Sequence, residues 1–291
     1  MSTTTPTTTS VLSVLSPAEQ EALKAATFQR LHPRVYLERF LAENVRPDGR
    51  PAEGWRDVSA HVGSISTADG SALVRLGGTT VVCGVKAEIA EPELDREGEG
   101  FLVPNLDLPA MCSPKFKPGP PTEEAQVLSD RLNEVLVSSG MLPLTSLCIH
   151  PGKAAWVLYV DATCINYDGN VFDAALIAMV AALKNTQLPK ATFDEETGRT
   201  TCSRSIKEPL QITRTPVSMS FGIFDSTTLL TDPTSFEEPL LDTTISVVVD
   251  STSGALLSAS QLGIDATAAQ DMLQTCITAA AQRRHDLRKI V

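Results

Sequence analysis

The residues best placed for chemistry are Asp168-Gly169-Asn170-Val171-Phe172, which join a strand pattern to a helix pattern through a tight turn. A helix start behind a glycine turn presents free backbone N–H groups, and such groups bind anions such as phosphate. Phosphoryl transfer also needs a cation or hydroxyl there, from Ser, Thr, Arg or Lys. After Gly169 the chain has Asn170, Val171 and Phe172, so the scaffold is present without the chemistry. Asp161 and Asp168 lie near the strand end as a possible acid–base pair, but no nucleophile or metal ligand accompanies them. Asp168 before Gly169 reads more simply as a turn residue.

Other chemical groups are scattered. Gly152-Lys153 is not a P-loop, because Leu147 stands where the earlier glycine should be. Lys115-Phe116-Lys117, in a Pro/Gly-rich loop, has the cations and ring to track an RNA backbone and stack a base. A solvated loop with Phe116 tucked inward is the plainer reading. Arg46 and Arg50 could likewise meet RNA, but they flank Asp48 and read more simply as local ion-pair partners. The six cysteines contain no C-x-x-C pair, and the four histidines lack ligand spacing, so neither a metal site nor a cofactor is expected. Cys83 and Cys164 fall in strand patterns and read as small buried hydrophobes. The absence of paired cysteines fits a reducing compartment.

A net charge of −11 argues against a stand-alone nucleic-acid binder, whose field should be positive. The sequence has no apolar run long enough to span a bilayer and no basic stretch opening a signal peptide, so no membrane contact is expected.

The elements that must position these groups are legible from periodicity. Residues 156–165 alternate in twos as a strand, and Val171–Lys184 is an Ala-rich helix, apolar nearly all round and therefore buried. Residues 1–10 are Thr, Ser and Pro and cannot bury enough surface to order; the tail is taken as 1–15. Ser16-Pro17 caps a helix to about Leu31, and a second short helix runs from Pro33 to Glu43. These helices form an extension, 16–45. Strands are expected at 72–77 and 79–88, a surface loop at 91–100, and irregular chain from Pro104 to Pro121. Thr122 should cap a helix to Ser139 that buries Leu128, Leu132, Val135 and Leu136 and turns Arg131 and Glu134 outward. Residues 188–209 are polar with a hairpin tip at 194–198 and divide a first half, 46–187, from a second, 188–291. The second half reads as strands at 217–224, 228–231, 243–250 and 254–260, then a helix from about Asp265 to Lys289. Strands followed by helices, twice over, give an α+β fold with two βαβ-type halves.

Several motifs together resemble the RNase PH-like family over most of the chain. They are Arg46-Pro-Asp-Gly-Arg50, Gly63 to Gly77, Gly78 to Lys86, Val103 to Pro114, Gly119 to Glu124, Pro216 to Phe221, and Asp232-Pro-Thr234. The resemblance implies the RNase PH fold, which is ribosomal protein S5 domain 2-like. Phosphorolytic members carry a Gly-Ser-Arg-like triplet at the helix start, where this chain has Asn170, Val171 and Phe172. The resemblance further implies two acids, six apart, just before the Pro-Val of the second half; counted without gaps, Glu208 and Arg214 fall there. With both sites degenerate, it implies a non-catalytic subunit of the RNA exosome core ring, supporting 3′-to-5′ RNA processing, rRNA maturation and mRNA turnover. The alternative is an active phosphate-dependent 3′ exoribonuclease. Implied partners are other RNase PH-like subunits in a hexameric ring, cap subunits of the S1 or KH kind, and RNA threaded through the channel. Lys115 and Lys117 would be its contacts here. The implied locations are cytoplasm and nucleus, including nucleolus.

Overall fold

A computed structural model describes residues 16–263 and 266–290, and two compact units divide it after Glu53. The Thr/Ser/Pro tail lies outside the described residues, as does Asp265 at the expected start of the last helix.

The first unit is a helix pair, α1 (Pro17–Leu31) and α2 (Pro33–Ala42). Ser16 accepts from the Glu19 backbone N–H while the Glu19 carboxylate accepts from the Ser16 N–H, a reciprocal cap with Pro17 at the first helical position. Phe28, Tyr36 and Phe40 stack along the pair, with Arg39 4.8 Å above the Phe28 ring. Arg50 pairs with Asp48 at 2.7 Å, the local role read from their spacing.

The second unit holds the candidate site. Its first sheet contains β1 (Val58–Val62), β2 (Gly70–Leu76), β3 (Thr79–Ala90), β4 (Phe101–Asp107), β5 (Cys148–His150) and β6 (Ala154–Asn166). The order is β1-β2-β3-β6-β4 with β5 also on β6; β4 runs parallel to β6 and every other pair is antiparallel. Helix α3 (Glu123–Ser138) precedes β5, and α4 (Val171–Asn185) follows β6. A two-stranded hairpin, β7 (Gln187–Asp194) and β8 (Arg199–Pro209), turns at residues 194–198 as its Asp and Gly foretell. The second sheet has the order β10-β9-β11-β12, from β9 (Pro216–Phe224), β10 (Thr228–Thr231), β11 (Thr243–Asp250) and β12 (Leu256–Gly263). Helix α5 (Ala266–Leu287) packs on β9 and β11.

Helix α4 is the centre of this unit. It touches β2, β3 and β6 of the first sheet and β9 of the second, so every residue from Val171 to Leu183 is buried. That contact on two sides is why its apolar residues run all round. Ala174, Ala175, Ala178, Ala181 and Ala182 let strands approach closely, and Gly70 completes the fit: a Cβ there would lie 2.6 Å from the Ala182 carbonyl oxygen.

Three expectations need correction. Residues 104–107 are not irregular but belong to β4; Pro104 is tolerated because β4 is an edge strand with one side unpaired. The strand expected at 254–260 runs from Leu256 to Gly263, because Asp250 accepts from the Thr252 and Ser253 N–H groups and prolongs the turn. Arg131 does not face outward: it is half-buried and lies over the Phe172 ring, since that face of α3 is turned toward the α4 start.

The turn into α4 depends on Gly169, at φ +77°, whose absent Cβ would stand 2.5 Å from both the Ser235 nitrogen and the Thr234 carbonyl carbon. Gly169→Ala should therefore cost roughly 2–3 kcal/mol, from backbone strain and displacement of the 233–235 segment. Urea unfolding of the purified chain measures this; a loss under about 0.5 kcal/mol would show that the turn is loosely held.

Candidate functional site

The α4 start opens into a cleft of about 860 Å³ lined by α3, the Ser113–Lys115 loop, the 233–239 segment and the inner face of β11 and β12. Tyr167, Asn170, Val171, Phe172 and Glu238 form its base. The residues expected to replace a phosphate triplet thus do lie together in a concave site.

The groups under the cleft are tightly bonded. Arg56, just ahead of β1, grips Asp232 with Nε to Oδ2 at 2.8 Å and Nη2 to Oδ1 at 2.7 Å. Its backbone N–H donates to the same carboxylate at 3.1 Å, and Nη1 donates to the Asp168 carbonyl at 2.6 Å. Thr79 donates to the Gly169 carbonyl at 2.6 Å and accepts from the Asp168 N–H at 3.0 Å, which fixes the turn from its other side. Burial alone would raise the Asp232 pKa, but the Arg56 hydrogen bonds and charge hold it below the ordinary carboxylate value.

Asn170 sits in the left-handed region at φ 53°, ψ 44°, a conformation Asn tolerates better than most residues. Its Nδ2 donates to Asp232 at 2.7 Å and to Asp173 at 2.8 Å, while its backbone N–H donates to Glu238 at 2.7 Å. Tyr167 donates its phenol proton to the other Glu238 oxygen. Asp173 also accepts from the Ser220 N–H at 2.8 Å and the Ser220 hydroxyl at 3.0 Å. Burial pushes the pKa of Glu238 and of Asp173 above the ordinary carboxylate value despite these donors.

Phe172 is buried, and the Arg131 guanidinium lies 4.4 Å above its ring while donating to Ser260 at 2.9 Å. An apolar ring capped by a stacked cation thus occupies the position after Val171. Lys115 is held by Glu124 at 2.8 Å and lies 5.3 Å above the Tyr167 ring, and Phe116 is buried edge-on against that ring. Lys117 is exposed. Cys83 and Cys164 are buried strand residues, as their sequence context suggests; burial pushes the Cys164 thiol up to about 12.

Glu208 and Arg214 are not part of this arrangement. Glu208 is on β8 and pairs with Lys190 at 3.6 Å, and Arg214 donates to the Ser139 carbonyl at 3.2 Å. The ungapped count back from Pro216 lands on the β7–β8 hairpin and the strand approach, neither of which borders the cleft. The acids that do reach the helix start are Asp232 and Glu238, also six apart, one at the end of β10 and one in a short 3-10 turn. Their signal is the Asp232-Pro-Thr234 motif followed by Glu237 and Glu238, beyond Pro216 rather than before it.

Two models of the 3′ exoribonuclease family match the chain, domain 1 over residues 54–189 and domain 2 over residues 214–283. This chain belongs to the RNase PH-like 3′ exoribonuclease family. It is 43% identical to exosome complex component rrp43 of Schizosaccharomyces pombe, over 82% of this chain and 88% of that one. It is 36% identical to exosome complex component Rrp42 of Thermococcus gammatolerans, over 87% and 91% of the two chains. A solved Archaeoglobus fulgidus exosome with RNA bound to the active site superposes with a TM-score of 0.77 at 30% identity, covering 88% of this chain and 96% of that one. The expected RNase PH fold is therefore the fold of this chain.

The depressed Asp232 pKa makes stability pH-dependent. Its contribution is fully present above the unfolded carboxylate pKa of about 3.9 and is lost as pH falls through the lower folded value. Asp173 and Glu238, being raised, act in the opposite sense between about 4 and their folded values. An Asp232→Asn variant retains both, and since the Asp232 charge is one of the causes that raise Asp173, the difference from wild type reports Asp232 together with that coupling. Asp232→Asn should cost about 3 kcal/mol at pH 7, since it leaves Arg56 buried without its counter-charge, and the gap should narrow toward pH 3. Urea midpoints at both pH values check this; a gap that is constant or widens in acid would contradict it.

Phe172→Ala should cost about 3 kcal/mol, and Phe172→Arg should destabilise at least as much, by placing a second guanidinium beside Arg131. Thermal unfolding of both variants beside wild type tests the plug; equal midpoints would show that the ring fills nothing.

Proposed function

We propose that this chain is a non-catalytic structural subunit of the RNA exosome core ring, of the kind called exosome component eight. In that role it supports 3′-to-5′ RNA processing, including rRNA maturation and mRNA turnover, in cytoplasm, nucleus and nucleolus. The observation carrying this reading is the α4 start, where Asn170, Val171 and Phe172 offer no side-chain cation and Phe172 fills the space beneath Arg131. Phosphorolysis requires an attacking phosphate to be held and its charge neutralised, and an apolar ring supplies neither. The exosome names of its relatives support the assembly.

Asp232 and Glu238 favour a second reading, an active phosphate-dependent 3′ exoribonuclease, because acids six apart stand beside the helix start. Against it, both Asp232 oxygens are engaged by Arg56, and both Glu238 oxygens accept protons from Tyr167 and the Asn170 N–H. Acids so bonded serve the turn and the helix start, and as anions they would repel a phosphate rather than hold it.

The partners in this reading are other RNase PH-like subunits in a hexameric ring, S1 or KH cap subunits, and RNA in the channel. Lys115 and Lys117 are its proposed RNA contacts, with Lys117 the more available because Lys115 is paired to Glu124.

The purified chain, incubated with single-stranded RNA and inorganic phosphate, should release no nucleoside diphosphates. Release that survives removal of contaminating nucleases and disappears in Asp232→Asn would establish the second reading instead.

A further inference from the structure

Buried polar atoms in folded proteins have hydrogen-bond partners, so the exceptions are informative. Among the described residues, two buried side-chain atoms lack a partner within the protein, Asn170 Oδ1 and Ser218 Oγ. Both residues border one small cavity at the α4 start, lined also by Arg56, Asp173 and Asp232. The neighbours fix the Asn170 amide. Its Nδ2 donates to Asp173 and Asp232, and a turned amide would set its oxygen against both carboxylates. Oδ1 is therefore the atom left for the cavity. Ser218 is two residues before Ser220, on the same face of β9. It stands close enough to Asp173 to help hold that carboxylate's charge, yet its hydroxyl makes no hydrogen bond of ordinary geometry. Whichever way its proton turns, the hydroxyl keeps a lone pair for a further donor.

We propose that this cavity is a binding site for one internal water molecule, which donates to Asn170 Oδ1 and Ser218 Oγ and so ties the α4 start to β9. Size and chemistry agree. The cavity has about 10 Å³ of room, about what one water needs, and two acceptors are the least that hold one in place. A metal ion fits less well, because the Arg56 guanidinium borders the same space and repels a second cation. With the water bound, every polar atom of the Asn170 side chain is engaged. Nδ2 meets the two acids, and Oδ1 meets the water. The left-handed residue is then held from the acid side and from β9 alike. The site stands whether or not the chain joins a ring.

A high-resolution crystal structure of the full chain, alone or in an assembly that contains it, tests this directly. A single spherical peak should stand about 2.5–3.0 Å from both Asn170 Oδ1 and Ser218 Oγ. In Ser218→Val the methyl groups fill the cavity and leave Oδ1 unpartnered. The peak should vanish, and the thermal midpoint should fall by about 3 °C or more. Ser218→Ala keeps the room and the bond to Asn170, so it should retain the peak and lose less. In solution, oxygen-17 relaxation dispersion should count one long-lived internal water fewer in Ser218→Val than in wild type. If Ser218→Val does not fold, the wild-type peak and its retention in Ser218→Ala decide. An empty cavity in well-ordered density overturns the proposal, as does a peak with metal-like contacts shorter than about 2.5 Å. A peak lost in Ser218→Val with no change in midpoint overturns the claim that the water ties the helix start to β9.

Discussion

The ion pair between Arg56 and Asp232 is the constraint on which the rest of the site depends. Removing two charges from water costs several kcal/mol per ion, and the cost is recovered where geometry is good and the remaining donors and acceptors are filled. Here Asp232 takes both prongs of the guanidinium, the Arg56 N–H and Asn170 Nδ2, while Arg56 spends its other proton donors on the Asp168 and Gly169 carbonyls. The pair links the segment before β1 to the end of β10, from the two halves of the chain. It clamps the turn from which α4 enters the core. With the turn fixed, Asn170 is held in its left-handed conformation and α4 lies between both sheets.

That arrangement has a chemical consequence. The acids beside the helix start are occupied in building it: Asp232 by Arg56, Asp173 by Ser220 and Asn170, Glu238 by Tyr167 and a backbone N–H. The neighbouring cations are committed too, Lys115 to Glu124 and Arg131 to the Phe172 ring and Ser260. The cleft keeps the shape of a binding site while its polar groups serve the fold. The proposed structural role follows from this commitment as much as from the missing phosphate residues.

Local periodicity made much of this legible in the sequence. The β6-turn-α4 run, the caps at Ser16 and Thr122, and the strand patterns of the second half are each set by residues close in sequence. The family motifs added the fold. What was not legible depends on distance. Asp232 and Arg56 are 176 residues apart, and nothing local in either segment announces the pair. The resemblance places two acids before Pro216, where Glu208 and Arg214 lie away from the cleft, whereas the acids beside the helix start, Asp232 and Glu238, come from a loop that folds back from β10. Helical spacing alone sends Arg131 outward, but its long aliphatic stem and flat head suit the half-buried face over Phe172.

The most direct test is a double-mutant cycle on Arg56 and Asp232, with Arg56→Met, Asp232→Asn and the pair measured by urea unfolding at pH 7. If the pair organises the turn, each single change strands a buried partner, and the double variant should be less destabilised than the sum, with a coupling of about 2–3 kcal/mol. Additive effects, with coupling below about 0.5 kcal/mol, would mean that the two groups act independently and that the turn is held by something else.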